Sequence, residues 1–65
     1  MSNNIFDNVA KRAKEKGISI NSLEIKAGVS VGSVYKWNDV SPTVRNLSKV
    51  AEVLECTVDE LLEES

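Results

Sequence analysis

Charge and amide groups carry whatever chemistry this sequence can do, because the usual catalytic types are missing. There is no histidine, and Cys56 is the single cysteine. Zinc sites built from Cys and His, and Cys–His or Ser–His nucleophile pairs, are therefore excluded within one chain. The sequence has no phosphate-binding glycine loop and no carboxylates paired across a cleft, and 65 residues hardly suffice to enclose a pocket. An enzyme is the poorest reading; no cofactor, metal or small-molecule substrate is expected. Phosphate chemistry remains. The net charge of −2 argues against an anionic partner, but its distribution does not. All eight bases (Lys11, Arg12, Lys14, Lys16, Lys26, Lys36, Arg45, Lys49) precede Val50, and only four acids (Asp7, Glu15, Glu24, Asp39) share that region, leaving it at +4. From Val50 onward there are six acids and no base, a net −6. Phosphate binding follows the local field within a Debye length, roughly 8–10 Å, more than the total. A +4 face can hold phosphates while the acidic end points away, although ordinary solvated helix faces explain the same charges.

The stretch that must position these groups is 17–37, GISINSLEIKAGVSVGSVYKW. Ser19 can cap a short helix on which Leu23 and Ala27 lie four apart on one face. Gly28 is well placed as a left-handed stop, where a Cβ would be strained. Ser30 can cap a second helix, with Val31, Val34 and Trp37 recurring every third residue. Two helices too short to stand alone, joined by a tight glycine turn, form a helix-turn-helix pattern.

The remaining chain supplies a frame. Asn3 or Asn4 can cap a first helix over about 4–16, with Asp7 near its positive end and Ile5, Val9 and Ala13 on one apolar stripe. Lys11, Arg12, Lys14 and Lys16 crowd its C-terminal half, where cations suit the helix dipole; some could also reach phosphates. Gly17 ends that helix. Helices follow at about 19–27, 30–38, 43–55 and 57–63. Trp37 reads as core, from its spacing to Val34. Pro42 suits the start of the fourth helix, whose core face is Val44, Leu47, Val50, Ala51 and Leu54. Thr57 and Glu60 form a capping box for the fifth, where Val58, Leu61 and Leu62 close the core. Cys56 reads as a small buried hydrophobe without activated-thiolate surroundings. Glu63, Glu64 and Ser65 read as a frayed tail. The whole is one domain, 1–65, all-α and of marginal stability, since so short a chain buries only about 60% of its unfolded surface. It carries no signal-peptide core or membrane-length apolar run, so a cytoplasmic location is expected.

The run G-I-S-I-N-S-L-E-x-x-A-G-V-S-x-G-S-V-x-K-W, then P-x-x-x-x-L-x-K-V-A and V-D-E-L-L, resembles the Cro/cI-type (XRE-like) helix-turn-helix regulators. It is most similar to the short-looped variant of phages and prophages of Gram-positive bacteria. The resemblance covers about Ile5 to Leu62 and implies a five-helix, lambda-repressor-like DNA-binding domain. It implies a sequence-specific transcriptional regulator, a repressor, that lays the 30–38 helix in the major groove of double-stranded DNA. By position, Val31, Gly32, Tyr35 and Lys36 become base-facing candidates, with Ser30 and Ser33 as phosphate or cap residues and Asn38 beside them. Lys36 can donate to guanine, whereas Val31 can only offer an apolar surface to a thymine methyl. Gly32 serves either close backbone approach or a simple turn; Tyr35 either bonds a phosphate or covers an apolar edge. Ser19, Ile20 and Asn21 start the preceding helix, whose free N–H groups can meet a phosphate. Thr43, Arg45 and Asn46 are phosphate partners at the start of the fourth helix, Arg45 foremost because it stays charged and forks.

Three positions depart from the broad family. Ile20 stands where many members carry glutamine, Glu24 where alanine usually packs against the next helix, and Glu55 where a glycine or asparagine often ends the helix. A glutamate at 55 is strained if the backbone there is left-handed. One such module reads a short half-site, so a homodimer on a near-palindromic operator is expected, with its interface near the fourth and fifth helices. Many family members continue into a second domain, so the chain reads either as a complete small regulator or as a DNA-binding domain of a longer one. The alternative function is a protein-interaction module of the same fold, like an antitoxin or antirepressor, with Ile20, Ile25 and Val31 facing a protein partner.

Overall fold

A computed structural model of the chain describes residues 4–63. The alternative cap Asn3 and the tail residues Glu64 and Ser65 lie outside them. The described residues form four α-helices and one 3-10 turn: α1 Ile5–Lys16, α2 Ile20–Ala27, the 3-10 turn Val34–Lys36, α3 Val44–Leu54 and α4 Val58–Leu62. No strand is present among them.

Helix ends follow local chemistry closely. Ser19, Thr43 and Thr57 each accept a backbone N–H three residues on, from Ser22, Asn46 and Glu60. Glu60 returns the bond to the Thr57 N–H, completing the expected capping box. Gly17 and Gly28 close α1 and α2 in left-handed geometry, φ 75° and 77°. Glu55 closes α3 in the same geometry at φ 58°, the strained conformation anticipated for a residue with a Cβ. The start of α1 is different. Asn4 makes no side-chain cap bond; instead Asn38, 32 residues away, accepts the Phe6 N–H at 2.8 Å and donates to Asp7 Oδ1 at 3.1 Å. A tertiary amide does the work of a local cap.

The core is one cluster: Ile5, Val9 and Ala13 of α1, Leu23 of α2, Val34 and Trp37, Leu47, Val50, Ala51 and Leu54 of α3, and Leu61 of α4. Val29 packs against it from beneath the turn, as expected. Helix α2 lies along α3, and α1 packs on both α3 and α4. Two residues expected in the core are outside it. Val44 is 74% exposed because it is the first residue of α3, ahead of the turn that reaches the cluster. Leu62 is 48% exposed, since neighbours on a helix point about 100° apart and Leu61 takes the inward direction.

The third expected helix is the largest correction. An α-helix over 30–38 does not form; residues 31–33 turn, and only Val34–Lys36 is regular, as a single 3-10 turn. Gly32 sits at φ 89°, a left-handed value no α-helix contains. The physical reason is a carboxylate. Glu24, fully buried, accepts the Gly32 N–H on both oxygens at 2.9 Å and the Val34 N–H on Oε2 at 3.1 Å. The carboxylate satisfies the N–H groups on either side of a left-handed Gly32, a conformation that an α-helix does not contain.

Candidate nucleic-acid interface

The segment 30–38 is buried on one side and open on the other. Val34 is wholly buried and Trp37 is 4% exposed, so both reach the core as their spacing predicts. Ser30, Val31, Tyr35 and Lys36 are exposed, and Gly32 and Ser33 half-buried. The Ser33 hydroxyl donates to the Ser30 carbonyl at 2.6 Å, tightening the turn, and makes no cap bond to the 3-10 turn that follows. The Tyr35 ring lies against Phe6 of α1, centroids 5.3 Å apart, and stays 59% exposed. It covers an apolar edge while leaving its far face to solvent. The Lys36 carbonyl closes the following turn by accepting from Asp39 at 3.0 Å and Val40 at 2.7 Å, and the residue is exposed. The Asn38 amide is engaged with α1 as described, through both of its polar atoms.

Two helix starts flank this segment in the chain. At α2, Ser19 and Asn21 are exposed, while Ile20 is half-buried and packs against the core. At α3, Thr43 and Arg45 are exposed and Asn46 is half-buried. Glu24 ties residues 32–34 to α2, and α3 packs along that same helix. These contacts bring the three candidate groups onto one connected framework. Gly32 has a conformational role in it: its φ aims two N–H groups at the Glu24 carboxylate, so the turn reading of this glycine has a geometric basis. An added Cβ would meet nothing within 4 Å, so steric room is not what selects glycine.

Charge is arranged differently from the expectation. The acidic C-terminal part folds back onto α1. Arg12 pairs with Glu60 at 3.0 Å, and Lys16 pairs with Glu55. Bonds from the Thr57 backbone and hydroxyl, with the Arg12 charge beside them, hold the Glu60 carboxyl below its ordinary range. The Lys16 ammonium does the same for Glu55. Two of the four α1 cations are thus spent on folding, while among the described residues Lys36 and Arg45 carry no ion pair. Burial pushes the Cys56 thiol up, consistent with a packed rather than reactive sulfur.

Sequence reading set Glu24 where an alanine usually packs against the next helix, but missed the bonds its buried carboxylate makes there. A clue existed: Glu24 lies between the core positions Leu23 and Ala27, on the helix face that turns inward. Among the described residues no group of His, Cys, Asp or Glu could hold a metal, and no helix is long and apolar enough to cross a membrane.

A serine-capped helix, a left-handed glycine and a pinned, outward-facing segment define an all-α, lambda-repressor-like helix-turn-helix domain. Residues 8–64 match the Cro/C1-type HTH DNA-binding domain, and the chain belongs to that family. Its fold is similar to the N-terminal DNA-binding domain of SinR from Bacillus subtilis, with TM-score 0.86 and 32% identity over 95% of this chain and 94% of that one. SinR, the master regulator for biofilm formation, in complex with DNA matches with TM-score 0.83 and 32% identity over 91% and 98% of the two chains. The P22 c2 repressor in complex with a synthetic operator matches with TM-score 0.81 and 25% identity over 94% and 96%. Comparison with curated proteins yields no match.

Proposed function

We propose that this domain is a sequence-specific, DNA-binding transcriptional repressor that reads the major groove of double-stranded DNA with residues 30–36. The observation that carries this reading is a segment anchored from beneath by Val34, Trp37 and Glu24 while Val31, Tyr35 and Lys36 stand outward. The reading element is a turn followed by one 3-10 turn, and so presents a short surface. Lys36 donates to guanine or phosphate; Val31, 67% exposed, offers its methyls to a thymine. Ser19 and Asn21 at the start of α2, and Thr43, Arg45 and Asn46 at the start of α3, hold the flanking phosphates. The family and the DNA-bound forms of SinR and the P22 c2 repressor support this assignment. Two copies on a near-palindromic site, in the cytoplasm of a Gram-positive cell that carries the phage or prophage, complete the proposal, because one such module offers too small an interface for useful specificity.

Binding to genomic DNA fragments across a salt series tests it, with Lys36→Ala and Arg45→Ala beside the wild type. The expected result is tight binding to one fragment, with log K falling linearly against log salt and each variant flattening the slope by roughly one. A folded protein that binds no fragment at the lowest salt overturns the proposal. It would favour the protein-interaction reading, in which Ile25 and Val31, both about two-thirds exposed, face a partner.

A further inference from the structure

Glu24 holds both sides of the helix-turn-helix. Its carbonyl closes α2, accepting the Gly28 N–H at 3.0 Å and the Val29 N–H at 3.1 Å. Its carboxylate, eight to ten residues ahead in sequence, opens the reading segment by accepting the N–H groups of Gly32 and Val34. The side chain is fully buried, and the two ion pairs among the described residues lie elsewhere, so backbone dipoles alone answer this charge. A buried carboxylate held only by backbone N–H groups is costly to misplace, because any shift leaves charge and donors unsatisfied together. That makes the geometry of 32–34 a stiff function of one side chain.

We infer that Glu24 is the positioning residue that sets sequence discrimination, fixing the conformation in which Val31 and Lys36 meet base edges. The inference rests on the reading of 30–36 as the DNA-reading segment. Glu24 touches no nucleic acid itself. It acts through Gly32, whose positive φ is the conformation that delivers two donors to one carboxylate. Base readout needs this exactness of position; attraction to phosphates, which follows the overall field, does not.

The test uses Glu24→Gln in the full chain. Gln is the same size, but its NH2 group confronts backbone donors, so at most one side of the clamp survives. Wild-type protein first enriches a preferred duplex from a randomised library; affinities of both proteins are then measured for that duplex and for a scrambled one of equal length and composition. The expected result is a loss of about tenfold or more on the preferred duplex, the size of a lost charge-assisted hydrogen bond, with affinity for the scrambled duplex and its salt slope retained. Removing a negative charge can only strengthen attraction to DNA, so a selective loss has no electrostatic explanation. In hydrogen exchange, the Gly32 and Val34 amides are expected to lose protection in the variant ahead of the core amides of α3. Equal loss on both duplexes, or unchanged discrimination in a folded variant, overturns the inference. Should Glu24→Gln fail to fold, Gly32→Ala substitutes for it: the added Cβ meets no neighbour but strains the φ, and it must reduce discrimination by the same route. A wild type that enriches no duplex overturns the DNA reading and this inference with it; a wild type that discriminates beside a variant that discriminates equally overturns the inference alone.

Discussion

Single side chains in this domain divide into those that face outward and those that hold the outward ones in place. Lys36 and Arg45 are exposed cations with no ion pair among the described residues, and their replacement by alanine is expected to weaken DNA binding without a change in thermal stability. Asn38 is the opposite case. Its amide supplies the cap that Asn4 does not, so Asn38→Ala is expected to cost about 1 kcal/mol and to fray the start of α1. Urea unfolding would measure the cost, and exchange of the Phe6 amide would locate it. A dipeptide-scale reading cannot find such a role: Asn38 is polar, follows a core tryptophan and sits before a loop, which is also how a DNA-contacting asparagine looks.

At the scale of elements, local rules account for the helix ends and fail for the reading segment. Ser19, Gly17, Gly28, Thr43, Thr57 and Glu60 all act through bonds to residues within five positions, and all but Thr43, read only as a phosphate partner, were legible as a cap or a stop. Residues 30–38 have helical periodicity, correctly marking Val34 and Trp37 as inward, yet they form a turn and a 3-10 turn, with Gly32 left-handed and a carboxylate from α2 taking the N–H groups of Gly32 and Val34. Glu55 shows a local rule overridden. The chain tolerates a glutamate at φ 58° with its carboxylate against Lys16. Glu55→Gly is expected to raise the melting temperature by relieving that strain, and Lys16→Ala to move it little, since an exposed ion pair adds little. A lower melting temperature in Glu55→Gly would mean the ion pair outweighs the strain.

The whole molecule is held by one small cluster, with two ion pairs at its surface joining α1 to the acidic C-terminal part. Leu61 is fully buried and is the one core residue α4 contributes, so Leu61→Ala is expected to cost about 2–4 kcal/mol, a large share of what so short a chain has, with α4 leaving α1. Denaturant unfolding would read the loss as a lower midpoint. The carboxyls of Glu60 and Glu55 are both held below their ordinary range in the folded chain. Depressed carboxylates add stability that is fully present above the ordinary carboxylate range and is lost as pH falls through it toward their lowered values. The melting temperature is therefore expected to be flat near neutrality and to fall on acidification through that range. Glu60→Gln should flatten the fall and lower the neutral plateau. A melting temperature that rises on acidification would contradict the sign.

The sequence by itself determined four of the five helices, the Ser19 and Thr57 caps, the glycine stops and most of the core, because each rests on bonds or spacings within a few residues. It also carried the family, through the order and spacing of its motifs from about Ile5 to Leu62. The tertiary structure decided where charge goes and how the reading segment bends. Asn38 to Phe6, Arg12 to Glu60, Lys16 to Glu55 and Glu24 to Gly32 all join residues that local periodicity treats as separate. Hydrogen bonds and ion pairs act only at contact distance, and contact between distant residues exists only once the helices have packed.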